Sequence, residues 1–283
     1  MRIKPIPVVE NMAASLISRH LARGASPLVI TGGLRSWPAM TAWSFDWFKA
    51  HFGNFPIEAF APQLSEIARF GVKTSLARYL DYIADPDGGI VGEWLIGDAG
   101  TFAASGETLY AGNFNPAHPR LGNPEKIFDY VPATPAMIDC WFRLLDPPFV
   151  ALCRRVQSHH YVYLSAPGAY TPFHADFWAT HAFLAQISGR KRAILIAPGH
   201  ASITADATRD DRLMRSDDQY CDVTAWSAQL DPGHLLVIPS GWLHAVETLT
   251  PSITYSADWI DGANWRAYLR GATMALRRKG WSG

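Results

Sequence analysis

The chain has 283 residues, with 25 Lys+Arg against 25 Asp+Glu and 48% hydrophobic, 12% aromatic and 18% charged residues. The even balance removes the global field that would draw the chain to nucleic acid or an anionic membrane. The aromatic content argues against intrinsic disorder. A chain this long forms one large domain or two small ones and buries a full core without disulfides.

No apolar run reaches the roughly 18 residues of a membrane span. Residues 1–24 hold no continuous apolar segment followed by a small-residue cleavage site. Cys140, Cys153 and Cys221 are odd in number and form no C-x-x-C pair, which fits buried thiols in a reducing cytoplasm. A soluble, cytoplasmic globular protein is the expectation.

Residues 8–24 carry apolar positions at helical spacing and end in Gly24, so they predict a helix. SPLVITGG predicts a short strand broken by Gly32 and Gly33. WPAMTAWSFDWFKAHFGN predicts a turn and then a helix capped by Ser44, with Phe45, Phe48 and Phe52 on one face. PIEAFAP reads as a strand and SLARYLDYIADPDGG as a helix closed by a Pro/Gly turn. Residues 92–138, rich in Gly, Asn and Pro, predict long loops of the kind that often carry function. Within them GGIVGEWLIGDAG lacks nucleotide-binding spacing and a following helix, which excludes a phosphate loop.

The second half is a series of short β-rich runs: HHYVYLSA, AYTPFHAD, AFLAQIS, KRAILIAP, HLLVIPSG, LHAVETLT and SITYSADWI. SGRK between the third and fourth reads as a hairpin turn. Strands at this spacing predict a sandwich or barrel. NWRAYLRGATMALRRKG predicts a C-terminal helix whose basic end, Arg277, Arg278 and Lys279, suits the helix dipole better than a nucleic-acid site.

The chemistry concentrates in TPFHADFW. His174 and Asp176 are two apart, so on a strand they share a face, and His244 opens another predicted strand. Two histidines and a carboxylate on neighbouring strands can fill one face of an octahedron and leave three positions open, the facial triad of non-haem Fe(II) oxygenases. With 10 His and 18 Asp in the chain, chance alone supplies about 0.6 H-x-D pairs, so the pair is weak by itself. Spacing leaves the histidines equally open to a role as hydrogen-bonded core residues, with Asp176 in a turn.

The ordered set TPFHAD, AFLAQISGRKRAILIAP, GHLLVIPSGWLHAVETL and SITYSADWI resembles the cupin-like JmjC hydroxylases, the Fe(II)/2-oxoglutarate oxygenases that include the asparaginyl hydroxylase of hypoxia-inducible factor. VITGGLRSWPAMTAWSFDWFKAHFGN and LYAGNFNP resemble that family's upstream segments, so the likeness spans roughly residues 8–262. It implies a mainly β fold, a double-stranded β-helix (jelly-roll, cupin-type) with surrounding helices. The N-terminal α/β extension would cover about 1–105, the core 106–262 and the C-terminal helix 263–279. It implies His174, Asp176 and His244 as iron ligands. Lys191, Thr171 and Tyr110 would hold the distal carboxylate of 2-oxoglutarate, with Asn113 and Ser256 as polar pocket residues. A dianion bound to the metal at one end needs a buried cation and hydroxyls at the other. Taken without the resemblance, Lys191 reads as a surface lysine and Tyr110 as a core aromatic.

The sequence departs from the family pattern at Gly233-His234, at Ala182 and in the extra residues of FWATH. These departures bear on the substrate pocket and leave the ligands untouched. His159 and His160 alternate across a strand, so at most one faces the interior, while Tyr161 and Tyr163 share the face of His159. His181 and Trp178 are equally suited to substrate contact and to packing. The implied reaction uses Fe(II), 2-oxoglutarate and O2 to hydroxylate a protein side chain or small molecule, releasing succinate and CO2. N-methyl demethylation by the same chemistry is the alternative, and a metal-binding cupin without oxygen chemistry (an isomerase or ligand-binding module) is a third. No membrane partner is expected, nor nucleic acid. The family's habit of pairing through C-terminal helices makes a homodimer through 263–279 an expectation by analogy.

Overall fold

A computed structural model describes residues 2–22, 26–61, 68–111, 114–116, 124–199 and 223–279. Two facing sheets form its centre. The first runs in the order β1 (Arg2–Pro5), β11 (Thr224–Leu230), β10 (Lys191–Ile196), β13 (Leu243–Thr248), β8 (Tyr170–His174). The second runs β2 (Val8–Glu10), β3 (Leu28–Thr31), β12 (Leu235–Ile238), β9 (His181–Ser188), β14 (Ser252–Trp259), β7 (His160–Ser165). From β7 onward the chain changes sheet at every connection except β10–β11. That alternation makes a jelly roll, with antiparallel neighbours throughout the β7–β14 core.

The second sheet is apolar on both faces, and each face has its own cover. Outward, Phe183, Ala185, Ile187, Leu235, Val237 and Tyr255 join one core with the helices. Those are α1 (Ala14–Ala22), α2 (Ala39–Ala42), α3 (Phe45–Phe52), α4 (Leu76–Ala84), α7 (Pro147–Val156) and α8 (Trp265–Arg278). The shorter α5 (Ala99–Ser105) and α6 (Pro124–Phe128) lie between. Phe48, Leu76, Tyr79 and Tyr268 are fully buried there, each apolar side chain worth roughly 1.5–3 kcal/mol. Inward, Leu184, Leu236 and Ile238 meet Ala193 and Leu195 of the first sheet. A third antiparallel sheet, β4 (Pro56–Ala61), β5 (Phe70–Ser75) and β6 (Glu93–Ile96), carries Tyr110 on a bridge to Phe60.

The capped helix at Ser44 forms as expected: its side chain accepts from the Trp47 N–H, and Phe48 and Phe52 are buried. Several expectations need correction. Residues 8–10 are a strand, because Val8 and Val9 pair in parallel with β3 before Asn11 turns at φ 48°, and the helix starts only at Ala14. Gly24 lies outside the described residues. The stretch 92–138 is not all loop, for it holds β6, α5 and α6. A helix does follow GGIVGEWLIGDAG, and its N-cap is Asp98, a carboxylate that repels phosphate. β1, β5 and β11 went unread. SGRK is not a hairpin within one sheet: it carries the chain from β9 in the second sheet to β10 in the first.

Candidate metal centre and its cavity

His174 closes β8 and pairs directly with His244 of β13, which brings their ring centroids to 4.1 Å. Between His244 and Val246 the register shifts by one residue, and pairing resumes with Val246 opposite Thr171. Asp176 lies past the strand end, not on it, as the extended residue before a short 3-10 turn, Phe177–Ala179. Its Oδ1 is 3.7 Å from His244 Nε2. Among the described residues these three form a cluster whose ligand atoms all lie within 4.8 Å of one another.

The tautomers are fixed by the backbone. His174 Nδ1–H donates to the Pro172 carbonyl at 2.9 Å and His244 Nδ1–H to the Trp242 carbonyl at 3.2 Å. A carbonyl only accepts, so each ring turns its Nε2 lone pair toward the cluster, the arrangement that metal-bound histidines share. Burial, followed by the neighbouring His244, pushes the His174 imidazole down to about 4, so it is neutral and able to ligate at neutral pH. Two imidazole nitrogens and one carboxylate oxygen suit a divalent first-row metal.

A cavity of about 260 Å³ opens from this cluster between the sheets. Alternation along β13 turns His244, Val246 and Thr248 inward, and Lys191 of β10 stands directly opposite Thr248. Lys191 is therefore no surface residue: it is 4% exposed and forms no ion pair among the described residues. Its Nζ lies 5.6 Å from the Tyr163 ring centre. Burial alone pushes its ammonium down to about 7. Thr171, Tyr110 and Ser256 line the same cavity. Asn113 lies outside the described residues. Thr248 Oγ1 donates to Ser165 Oγ, which pairs with Ser252 Oγ, both at 3.0 Å, so a short chain of hydroxyls leads from the cavity wall into the protein behind it. Tyr110 and Tyr163 are shifted upward by burial and remain protonated donors.

Other histidines are spent on packing. His159 Nε2 meets Tyr268 Oη at 3.0 Å and its ring stacks on Phe142. His160 Nδ1 meets Tyr255 Oη at 2.9 Å. His181 Nδ1 accepts the Ser240 N–H at 2.8 Å, and Trp178 packs against Tyr268. None of the four lines the cavity, whereas Tyr161, Tyr163 and Ala182 do. Asp258 and Thr248 are among the cavity residues that escaped sequence reasoning. Asp258 follows Ser256 by two, so strand alternation could have found it. Thr248 could have been found by the same count from His244.

Behind Asp176 the backbone is unusual. Trp178 (φ 57°, ψ 26°) and Ala179 (φ 55°) are consecutive non-glycine residues in the left-handed region. Each costs on the order of 1–3 kcal/mol and persists only where the surroundings over-determine it.

Residues 144–260 match the family model described as a cupin-like domain. The 2-oxoglutarate and iron-dependent oxygenase JMJD4 of Danio rerio is 30% identical over 121 residues, covering 38% of this chain and 28% of that protein. Its counterpart in Homo sapiens is 28% identical over 126 residues, covering 39% and 30%. An arginine-specific demethylase, JMJ20 of Arabidopsis thaliana, is 25% identical over 115 residues, covering 38% and 25%. The chain thus matches less than a third of the length of these curated relatives.

Proposed function

From the match of residues 144–260 to a cupin-like domain, we propose that the protein is a JmjC-type Fe(II)- and 2-oxoglutarate-dependent oxygenase that hydroxylates a protein side chain or a small molecule. One observation carries this reading: a three-ligand cluster and a buried ammonium with no ion pair among the described residues occupy the same cavity. A buried cation without a counter-charge costs several kcal/mol, so Lys191 calls for an anionic guest. A metal-binding cupin without such a cosubstrate has no use for it.

Bound Fe(II) with 2-oxoglutarate and O2 supplies oxidative decarboxylation to succinate and CO2 and the oxidation of an unactivated C–H bond. The chain's own residues bind, orient and shield. His174, Asp176 and His244 hold the metal on one face. The Lys191 ammonium and the hydroxyls of Thr171 and Tyr110 take the distal carboxylate of the cosubstrate, and Ser256 adds a polar contact. Val246, Leu184 and Ile238 exclude water from the space between. Tyr161 and the exposed Phe177 frame the substrate side.

The test is anaerobic addition of Fe(II) and 2-oxoglutarate to metal-free protein, read by the visible charge-transfer band of a chelated 2-oxo acid. The band is expected in wild type and absent in His174→Ala. Metal binding without a band would move the assignment to a cupin of other chemistry. Demethylation is the second reading, supported by the name of the plant relative, and formaldehyde release in a substrate screen separates it from hydroxylation.

A further inference from the structure

The turn after Asp176 and the turn before His244 meet at one atom. Asp176 is held by the turn 177–179, and His244 follows the turn that joins β12 to β13. The carbonyl oxygen of Ala179, in the first turn, accepts from Ser240 Oγ of the second at 2.8 Å. It also accepts from Asn264 Nδ2, the residue that starts α8, at 2.9 Å. Asn264 is itself fixed, since its Oδ1 accepts the Asp261 N–H at 2.8 Å. The Ser240 backbone is anchored in turn by His181 Nδ1.

The same helix closes on the turn a second time. A Cβ placed on Gly271 would lie 3.0 Å from Trp178 Cα and 3.2 Å from its Cβ. Helix α8 therefore approaches the left-handed Trp178 as closely as its backbone allows. These contacts are what over-determine two adjacent left-handed residues, and the conformation they impose sets where Asp176 points.

We infer that Ser240, Asn264 and Gly271 are positioning residues for the metal centre. Joined through the Ala179 carbonyl, they fix Asp176 relative to His244 and make the C-terminal helix part of the site. None of the three lines the cavity, so they act through Asp176 and not on substrate. The inference rests on the metal-binding reading above.

The test titrates Co(II) into metal-free wild type, Ser240→Ala, Ser240→Thr and Gly271→Ala, reading the ligand-field spectrum and the dissociation constant. Ser240 sits on a turn, so its truncation leaves a folded protein, checked by the melting temperature of the metal-free form. Ser240→Ala and Gly271→Ala are expected to weaken Co(II) by 10- to 100-fold, the usual cost of losing a residue that orients a ligand, and to alter the spectrum. Ser240→Thr keeps the hydroxyl and should bind nearly as wild type. Met274→Ala, on the exposed side of α8, should change nothing. Wild-type affinity and spectrum in both Ser240→Ala and Gly271→Ala would overturn the positioning role alone. A wild type that binds no Co(II) would overturn the oxygenase reading, and this inference with it.

Discussion

The carboxylate of Asp258 lies 3.8 Å from His159 Nδ1, too far for a hydrogen bond, in a wall that faces two cavities. One is the metal cavity; the other, about 440 Å³, is lined by Arg154 and His160. His159 offers no counter-charge, because burial pushes its imidazole down to about 3. Asp258 is thus a buried carboxylate near that of Asp176, with no Lys or Arg ion pair among the described residues.

Its stability cost follows with a definite sign. Burial, and then the charge of Asp176, hold the Asp258 carboxyl well above its ordinary 3.8. Between 3.8 and that raised value the folded chain holds a proton that the unfolded chain has lost, so stability falls as pH rises through the window. Asp258→Asn removes the penalty. Metal-free Asp258→Asn should melt a few degrees above wild type at pH 7, about 1 kcal/mol or more, with the gap shrinking toward pH 4. A gap that is equal at both pH values, or reversed at pH 7, would show that Asp258 is already neutralised.

Much of this site was legible in the sequence because strands report their faces. Counting by two from His244 and from Ser256 would have placed Thr248 and Asp258 on the same inward faces. Lys191 was legible only through resemblance, since a lysine after a turn has no local sign of burial; its cover comes from Tyr163, on a strand of the opposite sheet. Asp176 was legible as a candidate ligand but not as a residue beyond the strand, because the two left-handed residues that follow it closely are Trp and Ala, which have no turn propensity. What holds them comes from Ser240, Asn264 and Gly271, at least 60 positions away. The short strand β1 was missed for a related reason: it exists by adding to a sheet whose partner strand, β11, lies far along the chain.

A metal that occupies the triad stabilises the fold, because the unfolded chain has no such site. Mn(II) at 100 times its dissociation constant should raise the stability by about 2.7 kcal/mol, a shift of several degrees in Tm. Asp176→Ala should abolish the shift, while Thr171→Val should leave it intact. A full shift in Asp176→Ala would place the metal elsewhere.

Gly189 tests the crossing between the sheets. It has φ +71°, and a Cβ there would lie 2.0 Å from the Pro251 carbonyl oxygen. Arg190 N–H donates to Thr250 Oγ1 at 2.8 Å, so the 189–190 turn is fastened to the turn between β13 and β14 and has no room to yield. Gly189→Ala combines left-handed strain with a backbone collision, and a loss of roughly 2–4 kcal/mol is expected, read by chemical denaturation. A loss below about 1 kcal/mol would mean that the two turns separate freely.

Lys191 gives the pH signature of the anion clamp. Its folded value of about 7 lies below the ordinary 10.5, so between these the unfolded chain holds a proton that the folded chain lacks. The metal-free protein should therefore gain stability as pH rises from about 7 toward 10.5, by up to about 1.4 kcal/mol per unit. Binding reverses the preference, because a dianion beside Nζ favours the ammonium. At pH 8, 2-oxoglutarate should take up close to one proton on binding, whereas at pH 6 the lysine is already charged and uptake should be near zero. Calorimetric titration in buffers of different ionisation enthalpy measures this directly. Lys191→Met should bind at least 100-fold more weakly and show no pH 8 uptake. A wild type with equal proton uptake at both pH values would remove Lys191 from the clamp and leave its burial to be explained by packing on Tyr163.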